Sequence, residues 1–145
     1  MQKILLSLSL LLWAMPAGAL DVDLNELKKF EGDINQCSEF IDPEQDLPAE
    51  DYFKRVEYAE RVQECYTNLA VEVFEKYYRK NPDATRRDMA EMSALLRKRY
   101  AEINEHSVFC KQACGNNEVV RTAQDVTYAM EDYMKKVVAA LRRRK

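Results

Sequence analysis

His106, Cys110 and Cys114 fall four residues apart in the stretch EINEHSVFCKQACGNNE. A helix carrying them places all three on one side. Imidazole and thiolate groups bind zinc and copper, and paired thiols exchange disulfides. Metal binding, thiol redox and nucleophilic attack are therefore the chemistries to weigh.

Geometry limits the first. Positions eight apart on a helix lie about 12 Å apart along its axis. A cysteine and a histidine facing each other across one zinc ion span only about 9 Å between their Cβ atoms. The three residues cannot share an ion on an intact helix. Any two would need ligands from elsewhere, and the chain holds no second histidine. Met89 and Met92 lie several turns away and do not complete a copper site. The redox reading meets a different obstacle. Thiol oxidoreductases set C-x-x-C at a helix N-terminus, where the dipole lowers the thiol pKa. Here C-x-x-x-C sits at the end of a helical pattern, where the dipole opposes the thiolate. A Cys110–His106 nucleophile lacks an orienting acid. A thiol-redox or metal-binding protein built on Cys110 and Cys114 thus ranks last, and neither catalysis nor a cofactor is expected.

The remaining role for Cys37, Cys65, Cys110 and Cys114 is structural, and the N-terminus argues for it. MQKILLSLSLLLWAMPAGAL has a positive Lys3, an apolar run of about ten residues and a small-residue Ala17-Gly18-Ala19 site, the pattern of a secretory leader. A membrane span needs about 20 apolar residues. Cleavage is expected after Ala19, leaving residues 20–145 as a single helical domain that is periplasmic or secreted. Four cysteines in an oxidising compartment suggest two disulfides. Three pairings are open. Cys37–Cys65 with Cys110–Cys114 is favoured, although the second bond needs the turn before Gly115 to unwind. If that turn holds, Cys110 and Cys114 each reach Cys37 or Cys65 instead.

The elements that would carry these residues are helices. Three glycines and four prolines are too few for the turns of an all-β fold, and most of them are read as boundaries. Apolar residues recur at helical spacing in four stripes. The first is Leu27, Phe30, Ile34, Cys37 and Ile41; the second is Tyr58, Val62, Cys65, Leu69, Val73 and Tyr77. Pro48 is placed at the first position of the second helix and Asn81-Pro82 at its end. Thr85 to Asp88 resembles a capping box for the third helix, whose stripe is Met89, Met92, Leu96, Tyr100, Ile103, Ser107, Cys110 and Cys114. Asn116 or Asn117 caps a fourth, with Val119, Ala123, Val126, Met130, Tyr133, Val137 and Leu141. The fold expected is all-α: a small disulfide-stapled bundle of three to four antiparallel helices.

Charge is sorted along that bundle. The chain holds 22 basic side chains against 25 acidic ones, a net charge of −3, which with the compartment argues against nucleic acid as a partner. Residues 39–60 carry eight acids, Asp42, Glu44, Asp46, Glu50 and Asp51 among them, against Lys54 and Arg55. The opposite end of an up-down bundle would gather Arg79, Lys80, Arg86 and Arg87 with the C-terminal Arg142, Arg143, Arg144 and Lys145. Tyr77 and Tyr78 beside these arginines resemble interface anchors. The leading expectation is an exported, non-catalytic protein that binds a protein or anionic envelope component through this basic end. The alternative is an inhibitor or immunity-type protein whose acidic loop 42–51 docks a basic enzyme such as a cell-wall hydrolase. No transmembrane segment is expected after leader removal, and a homodimer face is compatible with the long helices.

Overall fold

The computed structural model describes residues 22–39, 52–105 and 116–144. They form four helices: α1 (Leu24–Glu39), α2 (Tyr52–Tyr78), α3 (Pro82–Glu105) and α4 (Asn116–Arg142). No strand occurs among the described residues. The protein is a small all-α bundle.

Local chemistry sets the helix ends. The Asp23 carboxylate accepts a hydrogen bond from the Asn25 N–H at 2.8 Å and starts α1. At the α2–α3 turn, Arg79 takes a left-handed φ of 50°. Its N–H donates to the Glu75 carbonyl and the Lys80 N–H donates to Phe74, each at 3.1 Å, which closes α2 at Tyr78. The Asn81 side chain then accepts from the N–H groups of Asp83 (2.9 Å) and Ala84 (3.3 Å), with Pro82 in the first helical position. This corrects the expected start of α3. Asn81 is its cap, whereas Thr85 is a buried residue one turn inside. Gly32 lies within α1, on its exposed side.

Contacts fix the topology. Glu26 pairs with Lys76 and Cys37 is bonded to Cys65, so α1 and α2 run antiparallel. Arg86 to Asn68 and Asn104 to Thr122 set α3 antiparallel to α2 and to α4. The bonds from Gln63 to Thr127 and the contact of Tyr78 with Arg144 show α2 and α4 parallel on the diagonal. Both α2 and α4 touch all three other helices, with α1 on one side of the pair and α3 on the other.

This central position explains why two stripes of α2 are buried. Val62, Leu69, Val73 and Tyr77 form the expected one; Ala59, Gln63, Tyr66, Ala70 and Phe74 form the second. Likewise α4 buries Val120, Thr127, Met134 and Val138 beside Ala123, Val126, Met130, Val137 and Leu141, while Val119 stays exposed. In α3 the order near the C-terminus is reversed from expectation: Ile103 is exposed and Asn104 buried. Asn104 is held by Thr122 Oγ1 (3.0 Å) and Asp125 Oδ2 (3.1 Å). Gln63 Nε2 donates to the Ala123 carbonyl (3.2 Å) and to Thr127 Oγ1 (3.1 Å). Thus a hydrogen-bonded polar layer fills the α2–α3–α4 interior towards the start of α2, and the apolar core dominates the other end.

Candidate functional site

The end of the bundle where α2 turns into α3 collects three chain features. These are the left-handed Arg79, the first turns of α3, and the last turn of α4, which returns beside Tyr78. The Arg144 guanidinium lies 4.8 Å from the centre of the Tyr78 ring, a cation–π distance. Arg79, Arg87 and Arg143 are exposed, and none of the three has an ion-pair partner among the described residues.

The other expected members have internal partners. Tyr77 is buried, with 2 % of its surface accessible, and its hydroxyl donates to Glu26 Oε2 at 2.8 Å. Its ring meets Phe30 edge to face. Tyr77 therefore belongs to the core rather than to the surface. Lys80 pairs with Asp88 and sits 5.5 Å from the Phe74 ring centre. Arg86 donates to the Asn68 side-chain oxygen at 3.1 Å. Arg142 bonds Glu31 at 2.6 Å, which ties the end of α4 to α1. The counterions of Lys76, Arg142 and Lys80 are Glu26, Glu31 and Asp88. They lie 50, 111 and 8 positions from their partners, separations that no local pairing rule covers.

Burial shapes the titration of this end. The hydrogen bond from Lys76, followed by that from Tyr77, holds the Glu26 carboxyl below its ordinary range. Desolvation is the main reason that the Tyr77 and Tyr133 hydroxyls are each pushed up to about 12. Burial also raises Tyr78, and Arg144 opposes that shift. At neutral pH the tyrosines are therefore neutral and the cluster's charge comes from its arginines and lysines.

The remaining sequence candidates divide in two. Cys37 and Cys65 form a disulfide with their Cα atoms 5.9 Å apart, joining the end of α1 to mid-α2. His106, Cys110 and Cys114, the acidic residues Asp42, Glu44, Asp46, Glu50 and Asp51, and the leader at 1–19 lie outside the described residues, as does Lys145. Among the described residues no three His, Cys, Asp or Glu side chains gather as a metal site would require. Among them, too, no helix is long and apolar enough to cross a membrane.

Comparison with models of known protein families, with curated proteins and with solved structures finds no match to this chain.

Proposed function

We propose that the protein is an exported, non-catalytic binding module of the cell envelope, and that its basic end docks an anionic partner. The observation that carries this reading is the Arg144 guanidinium set against the half-buried Tyr78 ring, next to the turn that holds the exposed Arg79. Tyr78 and Arg144 lie about 65 positions apart in sequence, and their contact brings the end of α2 and the end of α4 together.

Arg79 adds support. A left-handed φ costs a residue with a Cβ atom about 1–2 kcal/mol, and glycine takes it without that strain. An arginine there gains nothing for the turn itself, so its side chain is the reason to keep it. Arginine presents a planar fork of donors suited to carboxylate and phosphate groups. A ring that positions a guanidinium, with exposed arginines at the sequence neighbours 79 and 143, suits anionic lipid head groups or other acidic envelope material. The Cys37–Cys65 bond suits an oxidising compartment.

The test uses the disulfide-bonded protein and vesicles of phosphatidylglycerol with phosphatidylethanolamine. Binding should be absent on neutral vesicles and should weaken as salt rises. The triple variant Arg79→Ser, Arg143→Ser, Arg144→Ser should lose about a hundredfold in affinity, at about 1 kcal/mol per charge. Equal binding by wild type and triple variant would refute the assignment.

A further inference from the structure

We propose that the outward face of α3 joins a second copy of this chain, with the two helices antiparallel about a two-fold axis at Ala94 and Leu95. The face consists of Arg87, Glu91, Ala94, Leu95, Lys98 and Glu102, all exposed. Their spacing puts them on one stripe. Thr85 and Met89 on the other side are buried, and Met92, Leu96 and Tyr100 pack against the core. The stripe therefore points away from the bundle.

The order of charges along it is the central observation. It reads basic, acidic, small, apolar, basic, acidic. Reversing the helix about the midpoint of Ala94 and Leu95 brings Arg87 opposite Glu102 and Glu91 opposite Lys98. A two-fold interface is isologous, so each pairing occurs twice and the face must complement its own reversal. This one does, at every charged position. A parallel pairing in register would instead oppose like charges. Leu95, 59 % exposed, meets its own copy at the axis, and Ala94 leaves room for close approach of the two helices.

Among the described residues these charges form no ion pair within the subunit. Arg87–Glu91 and Lys98–Glu102 have the spacing of helical ion pairs, but each runs in the less favourable basic-first order. Neither forms in the structure, whereas the acid-first pairs Glu57–Arg61, Glu131–Lys135 and Asp132–Lys136 do, at 2.5–2.7 Å, and the basic-first Lys29–Asp33 closes only to 3.9 Å. A face of alternating charge is ordinarily a solvated one, which would carry no need for self-complementarity. An interface of exposed ion pairs around one leucine is small and salt-sensitive, so the dimer is a weak one.

Sedimentation equilibrium on the disulfide-bonded protein, from roughly 20 to 500 μM, tests this. Wild type should show a monomer–dimer equilibrium that weakens when salt is raised to about 0.5 M. Glu91→Lys and Lys98→Glu, each singly, should raise the dissociation constant by about tenfold, because each places like charges together twice. The double variant Glu91→Lys, Lys98→Glu restores opposite charges and should recover wild-type affinity to within a factor of about three. Circular dichroism and thermal melts establish that each variant is folded. A monomer throughout that range, association unaffected by Glu91→Lys, or a double variant as weak as the singles would each overturn the proposal.

Discussion

At the scale of single residues, the α2–α3 turn combines strain with exposed charge. The left-handed backbone of Arg79 closes α2, and the Asn81 side chain opens α3 two residues later. If Arg79 is retained for its side chain, Arg79→Gly should keep or raise stability, by up to about 1 kcal/mol, because relief of strain outweighs the larger unfolded-state entropy. The same change should weaken binding to anionic vesicles. Urea unfolding and vesicle titration on one variant check both halves, and a destabilised variant would show that the side chain holds the fold. Tyr77 supplies a second prediction. Its folded-state pKa is raised from 10.0 to about 12. A raised pKa means that the neutral form stabilises the fold below pH 10, and that this contribution is lost as pH climbs towards 12. Wild type should lose stability over that window more steeply than Tyr77→Phe does. Parallel pH profiles for the two proteins would contradict the burial and the Glu26 bond assigned to this hydroxyl.

At the scale of elements, α1 is the one held least by packing, since it contacts α2 and α4 and lacks a packed face against α3. The Cys37–Cys65 bond, the Glu26–Lys76 pair and the Arg142–Glu31 bond lash it at its end, its start and its middle. Cysteines 28 positions apart close a loop whose cross-link is worth about 3–4 kcal/mol in the chain-entropy account. Cys37→Ser with Cys65→Ser should therefore lower unfolding stability by that amount. Hydrogen exchange should accelerate most in Leu24–Glu39 and least in the α2–α4 pair. Uniform acceleration would contradict the view of α1 as a strapped-on helix. Peptide mapping should recover Cys37 linked to Cys65, which leaves Cys110 and Cys114 only each other within one chain.

The elements also show what a one-dimensional reading captures. Four helices, their order and one disulfide were legible because apolar spacing and the rarity of turn residues act locally. A single stripe per helix was legible too, but α2 and α4 bury two, and that width depends on having three neighbours. Gln63, Thr127 and Asn104 were passed over because they are polar, yet buried hydrogen bonds accommodate them. Gly32 lies inside the first stripe, and a helix tolerates it at a modest cost of about 1 kcal/mol relative to alanine.

At the scale of the whole molecule, parallel packing of α2 and α4 decides where function is sought. It brings the last turn of α4 to the α2–α3 turn, so charges dispersed in sequence share one end of the bundle. Sequence patterning alone does not separate the basic side chains near that end that have internal partners from those that do not. Folding withdraws Tyr77 into the core and commits Lys80 and Arg142 to ion pairs, so the proposed anion-binding set narrows to Tyr78, Arg79, Arg143 and Arg144. Arg87 is shared with the α3 face, so variants at 79, 143 and 144 separate anion binding from self-association.

Amide chemical-shift mapping during titration with a short-chain, soluble phosphatidylglycerol tests the central claim most directly. The account predicts saturable, salt-sensitive shifts concentrated on Tyr78–Lys80 and Arg142–Arg144, with α1 and the outward face of α3 unmoved. Shifts centred on any other surface, or none at concentrations where vesicles bind, would contradict it.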